Sequence, residues 1–361
     1  MHSTDLFVIA LTASLALLYQ WLFRVLPREG AQFAAIVPFK RNQDGRWRGI
    51  NFTFYGFLTA CAGLAGTALF ILLTGAADLP LGTTLGIVAF MLGACLPAAK
   101  LIAVYVEKNR HGFTIGGASF VGILLAPLVV WLANEVSSRE ISILAVLAAM
   151  SITLTLGEGL GRLACISFGC CYGKPLQRMP ASMQSLFSKH HHVFYGELKK
   201  IAFAGNMQGE KVVPIQAISC VVLSLLALLG IALYFRGHYQ LAFIVTLVGS
   251  QLWRLYSETL RADYRGGNQQ FSAYQVMALL ACGYAIAVAM ALPQFSGGLP
   301  RIEAGFAALW QPGVLISLQL IWLLMFVSNG TSTITTSEIR FGLAHDWRAQ
   351  AGCCEHQASD V

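Results

Sequence analysis

What most constrains this chain is recurrence. Uninterrupted apolar runs of about 20 residues, the length of helix that crosses roughly 30 Å of hydrocarbon, return along the whole sequence. One such run could be a signal peptide, but a series of them cannot. Of the 361 residues, 56% are hydrophobic and 11% charged, and the mean hydropathy is +0.64, which excludes a water-soluble fold. The runs predict spans at 5–26, 51–75, 82–106, 113–134, 141–161, 213–235, 239–259, 271–292 and 313–329. The expectation is an all-α integral membrane protein of about nine transmembrane helices. The longest polar stretch, Cys171 to Val212, lies between the fifth and sixth spans and is the candidate for a small extramembrane head. From Thr331 onward the tail has no apolar periodicity and reads as poorly ordered.

Charge placement carries more information than the net charge of +7. If the spans alternate faces, the face with the 27–50 loop, the 107–112 turn, the head, the 260–270 loop and the tail takes twenty Lys or Arg, counting Arg24, Arg162 and Arg254 at span ends; the opposite face takes Arg139, Arg236 and Arg301, and Lys100 lies within a span. The positive-inside rule puts the twenty in the cytoplasm. A basic membrane protein of this kind faces anionic lipid rather than nucleic acid. Most of the nine cysteines fall inside apolar segments and form no secreted disulfide framework.

Ionisable side chains inside spans are costly in hydrocarbon and point to function. Glu158 and Arg162 are four apart, and Arg254, Glu258 and Arg261 are four and three apart, so each set lines one helix face. Arginine's planar fork of donors matches phosphate oxygens, which makes paired arginines at headgroup level suited to a phospholipid. A structural ion pair stapling two helices is the competing reading. Gly116-Gly117-Ala118-Ser119 lets a helix or a ligand approach the backbone, with helix packing the simpler explanation. Gly157, Gly159, Gly161, Gly169 and Gly173 surround Arg162 where the backbone leaves the membrane. Cys165, Cys170 and Cys171 sit beside that arginine, where a cation lowers a thiol pKa and makes it a nucleophile or metal ligand. No matching second Cys pair completes a zinc motif, so no metal is expected. His190-His191-His192 shares no single helix or strand face and reads as a solvated loop. Cys353, Cys354 and His356 read as an ordinary tail.

The segment Gly161-Arg162-Leu163-Ala164-Cys165 through Gly173, followed downstream by Arg254-Leu255-Tyr256-Ser257-Glu258-Thr259-Leu260-Arg261, resembles prolipoprotein diacylglyceryl transferase. Four further stretches fall in that family's order: Phe54-Tyr55-Gly56, Gly116-Gly117-Ala118-Ser119-Phe120, Pro214-Ile215-Gln216 and Gln275. The resemblance implies a seven-helix core over 51–292, with an extra helix and basic loop in 1–50 and an extra helix and polar tail in 293–361. It implies an enzyme of the bacterial inner membrane that moves a diacylglyceryl group from phosphatidylglycerol to a prolipoprotein cysteine thiol, releasing glycerol phosphate without a cofactor. Arg162 and Arg254 would hold the phosphate, Glu258 would orient Arg254, and Arg261 would anchor the headgroup edge. Tyr55, Gly117, Ser119, Cys165, Gly173 and Gln216 would line the lipid site. The chain departs from the family at Val121 and Val213, where the family has histidines, at Cys165, where it has asparagine, and at Cys170, where it has an acidic residue. Its Gly-Cys-Cys-Tyr-Gly segment is similar to a divergent branch of the family. The family looks outward with its site, against the charge count. The alternatives are a paralogue serving another acceptor and a non-catalytic lipid-binding protein. The paired halves of a transporter are not seen.

Overall fold

A computed structural model describes residues 3–43, 45, 47–105, 115–137, 140–263, 272–293 and 298–331, and the backbone of 337–339. The long helices are α1 (Ser3–Val25), α2 (Phe54–Ala76), α3 (Leu81–Tyr105), α4 (Ile115–Val136), α5 (Ile143–Phe168), α8 (Ile215–Phe235), α9 (Tyr239–Thr259), α10 (Ala273–Ala291) and α12 (Pro312–Gly330). Shorter ones are α6 (Ala181–Leu186), α7 (Lys200–Phe203) and α11 (Ile302–Leu309). Among the described residues, eight helices are long and apolar enough to cross a membrane. Each expected span corresponds to a helix, but α9 falls outside these eight. It carries Gln240, Gln251, Arg254 and Glu258, and this polarity lowers its mean hydropathy.

Helix α5 is the axis of the bundle. It packs against α2, α8 and α9, and 67% of its membrane window lies inside the protein, against 17% for α1, α3 and α12. The outer helices therefore turn most of their apolar surface to lipid. Small hydroxyls satisfy one another across the interior, as a membrane bundle requires. Ser151 of α5 meets Thr246 of α9 at 2.7 Å, and Tyr19 of α1 meets Ser224 of α8 at 2.6 Å.

Two regions differ from expectation. The 27–50 segment, read as a basic loop, contains strand β1 (Phe33–Arg41) paired antiparallel with β2 (Trp47–Thr53), and β2 in turn pairs with β3 (Ser337–Ile339) in the tail. Helix α2 therefore begins at 54, after the N-cap Thr53, whose hydroxyl accepts from Gly56 N. The rest of the tail, with Cys353, Cys354 and His356, lies outside the described residues.

The head is tied down by backbone pairing at its base. Lys174 N donates to Leu260 O at 2.9 Å, Ala262 N to Tyr172 O at 3.0 Å and Val213 N to Lys174 O at 3.0 Å. Residues 172–174 thus lie between the end of α9 and the entry to α8. Lys199 is fully buried, and its ammonium donates to Ser167 O at 2.6 Å and Leu26 O at 3.1 Å, closing the ends of α5 and α1 with a cation. Burial lowers the Lys199 pKa to about 8. His192, expected in a solvated loop, is buried between Phe23 and Phe194, and burial lowers its pKa to about 4. Its backbone bridge to Val212 is what draws it inward.

Candidate functional site

Two clusters of charge form where α5, α9 and the base of the head meet. In the first, Glu158 of α5 takes two arginines on one carboxylate oxygen: Arg254 of α9 in a close ion pair, and Arg162, one turn along α5, at 3.6 Å. The Glu158 side chain is 7% exposed, that of Arg254 10% and that of Arg162 19%. Two guanidiniums thus converge on one buried carboxylate, and the most accessible part of the cluster is Arg162.

In the second cluster one arginine meets two carboxylates. Arg261 donates from Nε and Nη2 to the two oxygens of Asp263 at 2.8 and 2.7 Å, and from Nη1 to Glu258 at 3.0 Å. All three side chains are under 10% exposed. The fork-to-fork geometry with Asp263 is the strong form of an arginine–carboxylate pair. Burial works against the Arg261 charge, but Cys171, Asp263 and Glu258 raise its pKa further above the ordinary range. Arg261 is thus held by two carboxylates at once.

This geometry revises the pairing expected from the sequence. Glu258, expected to orient Arg254, takes Arg261, and the carboxylate on Arg254 is Glu158. The sequence marked Glu158 as costly but gave it no role, and Asp263 was not singled out at all. Of the glycines, Gly117 packs on α3, where an added Cβ would meet Ile102 at 2.6 Å. Gly116 is the one beside the site: a Cβ there would stand 2.9 Å from the Tyr274 ring and 3.2 Å from Arg254 Nη1. Ser119 is buried one turn further along α4. Gly173 passes so close to the Val213 carbonyl that a side chain would collide with it.

Tyr55, in the first turn of α2, packs edge-on to Phe168 at 5.7 Å and shares electrostatic surroundings with Arg162, Cys165, Cys170 and Cys171. Gln216, in the first turn of α8, donates from Nε2 to Cys170 O at 2.9 Å. Its Oε1 is buried without a hydrogen-bond partner among the described residues. Gln275 instead closes a capping box with Ser272 at the start of α10 and donates to Leu255 O at 3.3 Å, which fixes α10 on α9.

The three cysteine sulfurs of residues 165, 170 and 171 lie within 4.8 Å of one another, a set that could hold a metal ion. Two left-handed backbone positions make this approach possible: Gly169 caps α5 at φ 69°, and Cys171 turns at φ 55°. The expectation that a neighbouring arginine would lower the thiol pKa fails for Cys170. Hydrogen bonds with the Cys165 and Cys171 thiols raise it well above the ordinary thiol range, and burial adds to the shift.

A family model described as prolipoprotein diacylglyceryl transferase matches residues 46–292, from the turn before β2 to just past α10. No curated protein matches the chain.

Proposed function

Because the chain belongs to the prolipoprotein diacylglyceryl transferase family, we propose that it transfers a diacylglyceryl group from phosphatidylglycerol to the cysteine thiol of a prolipoprotein at the bacterial inner membrane. The observation that carries this reading is the shared buried carboxylate of Glu158, which holds the guanidiniums of Arg162 and Arg254 together. A phosphodiester anion entering beside Arg162 meets two preorganised guanidiniums in a water-poor setting, where such donors act most strongly on developing charge. The acceptor sulfur attacks the glyceryl carbon, the C–O bond to phosphate breaks, and the electron pair leaves on glycerol phosphate, whose second negative charge the two arginines take up. Glu158 is then the positioning residue for both. Tyr55 and Gln216 flank the site from α2 and α8.

The test is incubation of membranes holding the protein with labelled phosphatidylglycerol and a lipobox peptide. The expected result is a thioether-linked product that disappears in Arg162→Ala and Arg254→Ala. No product from the parent protein, or full product from both variants, defeats the reading. A second reading, a lipid-derived transfer to another acceptor on the cytoplasmic side, draws on the basic face that includes the head. A reporter inserted between 187 and 191 separates the two, because a cytoplasmic head cannot meet exported prolipoproteins.

A further inference from the structure

Three sulfurs each bonded at 2.3 Å to one tetrahedral zinc ion stand about 3.8 Å apart. The Cys165, Cys170 and Cys171 sulfurs are already within 4.8 Å of one another, so small side-chain rotations would bring them to that spacing. The chain holds this arrangement at some cost, since Cys171 adopts a left-handed backbone (φ 55°) that residues with a Cβ seldom occupy. The loop is fixed from outside by Gln216, whose amide donates to Cys170 O. The same amide leaves Oε1 buried without a partner among the described residues, able to accept from a group bound at the cluster. Three thiolates and a divalent cation sum to one negative charge, and Arg162 lies within electrostatic reach of the Cys165 sulfur to offset it. Cys170 forms the buried floor, while Cys165, Cys171 and Arg162 are partly exposed. The cluster therefore has an open side, and that side carries an arginine of the phosphate site.

We propose that Cys165, Cys170 and Cys171 form a three-thiolate zinc site whose open fourth position binds the incoming acceptor thiol as a thiolate. Three protein ligands with one vacant position is the pattern of a catalytic rather than a structural zinc site. A thiol must be ionised before it attacks carbon, and Glu158, committed to two arginines, is poorly placed to take its proton. A zinc-bound thiol gives up its proton outright, here to solvent. The sulfur then forms its bond to the glyceryl carbon, the carbon–oxygen bond breaks, and glycerol phosphate leaves with the electron pair. The metal site itself stands on geometry, whereas the role of its fourth position rests on the transferase reading.

The test measures metal content first. Full-length protein is purified in detergent under reducing conditions, reconstituted with zinc, and analysed by plasma mass spectrometry. Cobalt is then substituted to look for sulfur-to-cobalt charge-transfer absorption. Stoichiometric zinc and that absorption are expected in the parent and in Cys95→Ser. Zinc affinity is expected to fall about 100-fold or more in Cys165→Ser and Cys171→Ser, since loss of outer-shell partners alone costs 10- to 100-fold. A parent protein that takes up no zinc while its thiols titrate as free, or that shows a disulfide among these cysteines by intact mass, overturns the site. Chelation tests the role without relying on variants that fold poorly. Metal-free protein is expected to bind phosphatidylglycerol as before and to lose transfer about 100-fold, recovering on zinc addition. Unchanged transfer without metal overturns the role of the fourth position. Bound zinc with no transfer to any lipobox peptide upholds the site and defeats the transferase reading on which that role rests.

Discussion

The Glu158 cluster and the Arg261 cluster are built from the same kinds of charged group, yet they are opposite in arrangement. Glu158 holds two arginines, whereas Arg261 is held by two carboxylates. A buried ion pair is weak evidence for stability but becomes strongly destabilising when one partner is removed. The difference lies in how the guanidiniums are engaged. Those of the first cluster share one carboxylate, and Arg162 is the more exposed of the two. That of the second is engaged on three nitrogens by Glu258 and Asp263 at the end of α9. The family resemblance gave Arg162, Arg254 and Arg261 similar tasks, but the geometry separates the two arginines that share Glu158 from the one held by Glu258 and Asp263.

Substitutions can sharpen or break this division. The largest effect is expected for Arg254→Ala, which removes one of the two phosphate donors and leaves Glu158 with Arg162 alone. Transfer should fall about 1,000-fold, corresponding to roughly 4 kcal/mol in the transition state, as measured by single-turnover product formation. Next comes Arg261→Ala, which takes the buried guanidinium away from Glu258 and Asp263. It should lower thermal stability in detergent by about 3 kcal/mol, with turnover per folded molecule little changed. A third effect is acidification through the head. His192 is neutral in the fold and its pKa is lowered to about 4, so between the ordinary value of 6.5 and about 4 the unfolded chain binds a proton that the folded chain does not. Stability present above pH 6.5 is lost as pH falls, by up to roughly 3 kcal/mol across the window. Denaturation followed against pH should show this, and His192→Phe should flatten it. The smallest effect is expected for Arg162→Lys, which keeps the charge but loses the fork, a cost of about tenfold in transfer.

Much of this division could be anticipated from helical spacing, but its decisive contacts could not. The four- and three-residue intervals correctly placed Glu158 with Arg162 and Glu258 with Arg261, because neighbours on one helix face are fixed by the 3.6-residue turn. The Arg254–Glu158 contact joins residues 96 apart and depends on how α9 docks on α5, which no local period encodes. Gly116 and Gly117 are adjacent in sequence but point to different helices, and only the packed bundle tells which one borders Arg254. The β1–β2 hairpin escaped notice because Phe33-Ala-Ala-Ile-Val-Pro-Phe does not alternate apolar with polar residues, the usual sign of a half-buried strand. Likewise, Lys199 and His192 look like solvated head residues until the fold closes over them.

The most direct test of the central proposal, that the two arginines on Glu158 rather than Arg261 hold the phosphate, is a side-by-side measurement of phosphatidylglycerol affinity. Parent protein, Arg254→Ala and Arg261→Ala would be compared in detergent by titration calorimetry, each corrected for its folded fraction. The account predicts at least about a tenfold loss of affinity in Arg254→Ala, the equivalent of one charge-assisted contact, and an affinity close to parent in Arg261→Ala. Parent-like affinity in Arg254→Ala together with loss in Arg261→Ala would contradict it.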